Sequence, residues 1–369
     1  MPVVVKLFLA CALIQVLYYT VVFFRLNYIR PFSSVPEILP PVSVVICARN
    51  EAQNLLRNLK IILIQQYKQF EVIVVNDQST DDSIDVLVEF YLRNENFKIV
   101  NIKPGEAKPY AGKKYALLKG IEAATFKTIV VTDADCRPSS THWLAKMTNA
   151  YLQGTQIVLG YSPFEKRPGF LNKLIRYENV ITALQYFGFA KLGLPYMGVG
   201  RNLSYKKDMF LTLNGFEKNK DLLSGDDDLF INAAATGRNT EICMDKDAFT
   251  FTKPEESWQA WLNQKKRHLR AGFRYKPLHR LLLFLFAFSG FAFYVLFAVV
   301  TFKAHLIKLA LITLGALWVL KFIITFRIFK KTGTEDLSLL SPLLDVLYYV
   351  YLLIIFLLLL LKPKDSWKS

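Results

Sequence analysis

Apolar residues crowd into both ends of the chain, and a shorter-period pattern fills the middle. Across residues 3–24 only Lys6 and Gln15 stand out as strongly polar, and a helix of that length crosses a hydrocarbon core of about 30 Å at about 1.5 Å per residue. It reads as a membrane anchor at 1–25. A cleaved signal peptide has a shorter apolar region and a small-x-small site after it, which is missing here. Residues 281–302, 306–329 and 343–361 meet the same length rule, so four spans are expected, two to three of them in a C-terminal membrane region at 281–361.

Pro31, Pro36, Pro40 and Pro41 predict a stiff tether over 26–41. Beyond it the pattern alternates. Residues 42–47, 71–75, 98–102 and 128–132 are short β-branched runs fit for buried strands, while 51–65, 81–93 and 113–124 carry helical spacing, as in Leu55, Leu59, Ile62 and Leu63. Strands and helices alternating at these lengths predict an α/β domain over 42–252, a doubly wound, mostly parallel sheet with helices on both faces. Such sheets bind ligands beyond the carboxyl ends of their strands. Those ends are 47–51, 76–79 and 133–136.

The net charge of +16 changes the picture little, because much of the excess flanks the apolar runs and no aromatic-basic RNA signature accompanies it. Nucleic acid is therefore not an expected partner; anionic headgroups and a pyrophosphate are. Arg25, Arg30 and the basic stretch 265–280 put the middle segment in the cytosol by the positive-inside rule. Arg327, Lys330 and Lys331 agree, but Lys362, Lys364 and Lys368 of the basic tail 362–369 fall on the far side if 343–361 crosses, leaving an interfacial or re-entrant last segment open. Residues 253–280 mix Trp258, Trp261, Leu262 and Leu269 with Lys265, Lys266 and Arg270, as an amphipathic interface helix would. Cys11, Cys47, Cys136 and Cys243 are scattered, which supports neither a disulfide framework nor a zinc site.

Candidate chemistry sits at the strand ends. Asp133-Ala134-Asp135 follows a buried strand and offers two carboxylates to one hard cation, Mg²⁺ or Mn²⁺. Asp77 could accept hydrogen bonds from a base or ribose, whereas Ser79, Thr80, Asp81 and Asn50 double as helix caps. Arg49 and Glu51 can face a nucleotide. Ser224-Gly225-Asp226-Asp227-Asp228 packs acids whose mutual repulsion raises a pKa toward that of a general base, and the same acids could instead serve a helix N-terminus.

The stretches V-S-V-V-I-C-A-R-N-E, V-I-V-V-N-D-Q-S-T-D and V-V-T-D-A-D, in this order, resemble family 2 glycosyltransferases over roughly 42–237 and weakly to 272. The resemblance implies the GT-A fold, a nucleoside-diphosphate-sugar donor, expected to be a UDP-sugar, and inversion at the anomeric carbon. Cys47, Arg49, Glu51 and Asp77 match its nucleotide pocket, with Asn76 where the family often has an acid. Gly112-Lys113-Lys114-Tyr115-Ala116-Leu117 resembles a segment whose lysine approaches the donor, and an exposed lysine pair opening a helix is the plainer alternative. Gly198-Val199-Gly200-Arg201-Asn202 resembles the stretch lining the donor-sugar and acceptor cleft, with Asn202 as hydrogen-bonding residue. In the E-D-x-D-L resemblance Asp226 is the base, and Gly225 in place of the glutamate keeps Asp227 as runner-up. Gln264-Lys265-Lys266-Arg267-His268 resembles Q-x-x-R-W, in which Gln264 and Arg267 would hold the diphosphate, with Asp133 also on the donor. The expected enzyme is a multi-pass protein of a bacterial inner membrane that glycosylates a lipid or lipid-linked glycan. A processive polysaccharide synthase is the rival within the class, though His268 replaces the tryptophan. A non-catalytic sugar-nucleotide binder and a transporter using Asp345 are the rivals outside it, and Asp345 near a span end can reach the interface.

Overall fold

Val42, Val44, Val45 and Ile46 are all fully buried, as a strand between two helical layers requires. They form β1 (Val42–Ala48) in a computed structural model that describes residues 2–29 and 38–361. Pro31 and Pro36 of the expected tether and the basic tail lie outside the described residues. Helix α1 (Val3–Leu17) precedes β1, and α2 (Ala52–Leu63), β2 (Phe70–Asp77), α3 (Ser83–Arg93), β3 (Phe97–Ile102), α4 (Lys114–Ala123) and β4 (Thr128–Asp133) continue the alternation. Next come β5 (Arg137–Pro138), α5 (Trp143–Thr148), β6 (Ile157–Gly160), α6 (Phe170–Lys191), β7 (Leu203–Lys206) and α7 (Lys207–Thr212). After these run α8 (Asp228–Ala234), β8 (Thr240–Cys243), β9 (Thr250–Phe251), α9 (Trp258–Gly272), α10 (Pro277–Thr301), α11 (Ile307–Thr332) and α12 (Ser341–Leu361).

Two compact units emerge: a sheet unit, described over 38–165 and 193–254, and a helical unit, described over 2–29, 166–192 and 255–361. The expected 42–252 segment is thus interrupted by α6, which clusters with the helical unit. Its polar residues Arg176, Glu178 and Gln185 are buried, so no apolar stripe marked it in the sequence.

In the sheet unit seven strands run in the order β3-β2-β1-β4-β7-β6-β8. The first four are parallel, β7 is antiparallel to both its neighbours, and β8 is parallel to β6. A short antiparallel pair, β5 and β9, lies apart. Register sets Cys47 beside Asp133 and Ala48 beside Asn76, so the strand-end residues share one carboxyl edge. Alternate side chains feed the two faces. Val44, Ile46, Val72 and Val74 pack with Leu55, Leu59 and Leu87. On the other face Gly120 lets α4 press onto β1 and β2, since a Cβ there would meet Val45 at 2.4 Å and Val75 at 3.0 Å.

The opposite end of the sheet is locked by Glu71. Its carboxylate accepts from Ser43 Oγ (2.5 Å), Thr125 N (2.6 Å) and Thr125 Oγ1 (3.0 Å), and pairs with Lys98 (2.7 Å). Burial alone would raise the carboxyl, but these donors hold it below its usual range.

Among the described residues the helical unit contains four helices long and apolar enough to cross a membrane: Val3–Tyr28, Pro277–Thr301, Ala304–Thr332 and Ser341–Leu359. Phe8 stacks on Phe293 at 5.0 Å where α1 meets α10. Several polar groups inside the unit bond to one another, as burial among apolar neighbours favours. The Gln15 amide donates to Phe286 O and Ser289 Oγ, both at 2.9 Å, and accepts from Tyr349 (3.0 Å). Asp345 does not reach an interface as its position in the sequence suggested. It is 2% exposed and accepts from Lys321 (2.7 Å) and Tyr294 (2.6 Å). Helix α9 forms with Ser257 as its cap, yet Trp261 is buried against Tyr351 and Lys265 pairs with buried Glu178, so these two turn inward and not toward headgroups.

Replacing Glu71 with Ala strands the Thr125 N–H and Ser43 hydroxyl and should cost about 2–3 kcal/mol in denaturant unfolding. Because the folded carboxyl is held below its unfolded value, the wild-type contribution is present above that unfolded value and fades as pH falls through the lowered folded one. Equal stability of the two proteins at neutral pH would refute the lock.

Candidate active site

The loops after β1 and β2 brace each other. Asn50 adopts a left-handed φ of 56°, and its side chain accepts from Thr80 N (2.8 Å) while its own N–H donates to Ser79 Oγ (3.0 Å). Asp81 accepts from Ala52 N (3.1 Å) and Ser83 Oγ accepts from Glu51 N (3.0 Å), so both cap α2 from the other loop. The capping role expected of this segment is real but crosswise. Cys47, Arg49 and Glu51 are left half-buried on the edge, and buried Asp77 pairs with Lys108 at 2.5 Å. Burial pushes the Cys47 thiol up, keeping it a neutral thiol.

At the end of β4, Asp133, Asp135 and Cys136 each offer one donor atom within 4.8 Å of the others. Burial and the Asp133 carboxylate push the Asp135 carboxyl up, against the opposing charge of Arg201. Thr252 Oγ1 donates to Asp135 at 3.1 Å and orients it. Burial also raises the Cys136 thiol well above its usual range, and a sulfur donor suits soft metals and not a hard cation. Two carboxylate oxygens remain, a donor set that fits a hard cation keeping waters and phosphate oxygens in its shell.

Lys113 ties this edge to the acidic cluster. Its ammonium lies 2.8 Å from Asp133 Oδ1 and 3.0 Å from Asp226 Oδ2. Burial alone would lower it, but the carboxylates of Asp133, Asp226 and Asp227 hold it well above the usual lysine range. Lys114 is fully buried and donates to Leu222 O (2.5 Å) and Ser224 O (2.7 Å), clamping the loop before the acids. Neither lysine belongs to an exposed pair. Gly112 permits the approach, since its φ is 66° and a Cβ would sit 2.4 Å from Leu223 O.

The two candidate bases differ sharply in surroundings. Asp227 caps α8, accepting from Asp228 N (2.8 Å) and from Gly200 N (2.5 Å), so both its oxygens are committed to backbone. Burial and the Asp226 charge push its carboxyl up. Asp226 faces Lys113 instead. Asn202 corrects the expectation of a sugar contact: it is fully buried, its oxygen accepts from Trp143 Nε1 (3.0 Å), and its NH₂ donates to Tyr161 O and Ala248 O, both at 2.8 Å. An amide with those bonds filled pins the wall behind the cleft.

Asp133, Asp135, Lys113, Asp226 and Asp227 thus converge, and Cys47 shares their edge. Gln264 and Arg267 lie on α9 of the helical unit, where Gln264 donates to Glu255 at 3.2 Å. Lys108 carried no signal in the sequence, because only the β3–α4 loop brings it to Asp77.

The model of the glycosyl transferase family 2 matches residues 43–210, and that of glycosyl transferase family group 2 matches 128–361, more than half of the chain. The chain belongs to the family 2 glycosyltransferases. It is 28% identical over 336 residues to the probable glycosyltransferase YdaM of Bacillus subtilis (strain 168), covering 82% of this chain and 75% of that one. To the poly-beta-1,6-N-acetyl-D-glucosamine synthase of Staphylococcus epidermidis it is 30% identical over 94 residues, 26% of this chain and 21% of the synthase. A mannosyltransferase from Pyrobaculum calidifontis, solved with GDP-Man and Mn²⁺, shares the fold with a TM-score of 0.64 and 20% identity, covering 98% of this chain and 99% of that one. This glycosyltransferase therefore has the GT-A fold that the resemblance implied, built on the mostly parallel sheet that its strand pattern predicted.

Replacing Asp227 with Ala removes a helix cap and the Gly200 bond and should destabilise the protein by about 2–3 kcal/mol. Asp226→Asn removes like charge beside Asp227 and should leave the thermal midpoint within a few degrees. The reverse ranking in thermal unfolding would overturn this division between the two acids.

Proposed function

We propose that this glycosyltransferase moves a hexose from a nucleoside-diphosphate sugar, a UDP-hexose or UDP-N-acetylhexosamine, to a hydroxyl of a lipid or lipid-linked glycan, with inversion. The observation that carries the reading is the Lys113 bridge between Asp133 and Asp226, which joins a cation-binding edge to a carboxylate able to take a proton. Asp133 and Asp135 would hold Mg²⁺ or Mn²⁺ in this reading, and such a cation would supply Lewis-acid charge neutralisation for the diphosphate leaving group. Asp226 withdraws the proton of the acceptor hydroxyl as it attacks the anomeric carbon, so no covalent intermediate is needed. Cys47, Arg49, Glu51 and Asp77 border the nucleoside, and Lys113 moves from its carboxylates to the donor. Gln264 and Arg267 take diphosphate oxygens, arginine by its two-pronged geometry.

The lipid acceptor is supported by four helices of membrane-crossing length, and the cytosolic face by the basic residues flanking them. Domain limits of 42–252 for catalysis and 253–280 for the membrane interface belong to the same reading.

Membranes containing the protein, incubated with a panel of nucleotide sugars with and without chelator, should release nucleoside diphosphate from one donor only when divalent cation is present. Mass spectrometry should then find a lipid product larger by one sugar. Asp226→Asn should lower kcat about 10²–10⁴-fold. Full activity of both Asp226→Asn and Asp135→Ala would defeat the assignment, and a long polymer would replace single transfer by processive synthesis.

A further inference from the structure

The Gly198–Ser204 stretch meets the cleft through Arg201, the residue before buried Asn202. Its carbonyl oxygen accepts from Thr132 Oγ1 and Thr250 Oγ1, both at 2.8 Å, which fixes its backbone beside the end of β4. Its guanidinium stacks 4.6 Å over the Phe164 ring. Phe164 is bridged to Thr252, whose hydroxyl donates to Asp135. The side chain is therefore built into the same wall as the candidate cation ligands.

Its charge is uncommitted. Lys113 is paired with Asp133 and Asp226, and Lys108 with Asp77, but among the described residues the Arg201 guanidinium makes no ion pair or hydrogen bond. Asp135, the acid on which its field acts, already accepts from Thr252 and Cys136. A guanidinium held flat on an aromatic ring loses little further freedom on binding and keeps its N–H fork for an oxyanion. Two carboxylates and a divalent cation sum to no net charge, so the charge of an arriving diphosphate falls to the cationic side chains around them, and Arg201 stands in the wall beside Asp135.

We propose that Arg201 is an oxyanion-binding residue of this cleft, its guanidinium donating to a phosphoryl oxygen of the donor diphosphate. The inference rests on the donor reading above. A phosphate carried by a lipid acceptor presents the same chemistry, so the test separates the two sources.

Full-length protein in detergent is titrated calorimetrically with UDP, GDP and inorganic pyrophosphate, each with Mn²⁺. If wild type binds none of them, the donor reading fails before Arg201 is in question. With a binding wild type, Arg201→Gln should weaken the nucleoside diphosphate and pyrophosphate alike by roughly tenfold or more. Arg201→Lys, which keeps a cation but loses the fork, should recover part of the loss and carries the test if the Gln variant unfolds. Unchanged diphosphate affinity in these variants overturns the proposal. A raised KM for a polyprenyl-phosphate acceptor with unchanged diphosphate affinity overturns it in favour of the acceptor phosphate.

Discussion

One ammonium group between acids from two distant loops is the constraint on which the cleft depends. Asp133 ends β4 and Asp226 precedes α8, some ninety positions later in the chain, and Lys113 contacts both. At about 3 Å opposite charges attract by roughly 5–6 kcal/mol for an effective dielectric near 20, before the cost of desolvating them, and like charges brought together repel. The lysine offsets the repulsion between the carboxylates gathered there. The neighbouring residues exist to deliver it: Gly112 supplies the turn, and Lys114 fastens the facing loop by its carbonyls.

The same logic governs the helical unit, whose buried charges are matched inside. Lys321 meets Asp345, Arg176 meets Asp336 at 2.7 Å, and Lys265 meets Glu178. Replacing such a pair by apolar residues is often neutral for stability, so the pairs are better understood as fixing which helix faces which. Gln15, bonded to α10 and α12, does the same for the first apolar helix.

Much of the sheet was legible because its strands are buried on both faces and read as short β-branched runs. Every strand and helix from β1 to β4 lies within a few residues of its expected position. Beyond β4 the strands shorten to four residues or fewer and their partners are set by distant chain, so β6, β7 and β8 left no periodic trace. Helix α6 hid for a different reason, since polar residues that find partners inside a bundle look solvent-exposed in sequence. At the site, acids after strands were visible as types in positions. Asn202 was misread because a sequence motif names a residue and not the side its amide faces, and Trp143, Tyr161 and Ala248 meet it only after folding.

Asp226, Asp227 and Asp228 show how one acidic run satisfies two readings at once. A helix start favours acids because its N–H groups lack partners, and Asp227 and Asp228 answer that need by accepting from Asp228 N and Leu229 N. Gly225, with φ at 87° and no room for a Cβ beside Leu229, turns the chain just ahead of them. That turn leaves Asp226 outside the helix, facing an ammonium instead of backbone N–H groups. A carboxylate held by a mobile side chain can be released when that side chain finds another anion, whereas one held by backbone cannot. In the proposed mechanism proton abstraction and helix capping therefore fall to adjacent residues, and the turn at Gly225 is what separates them.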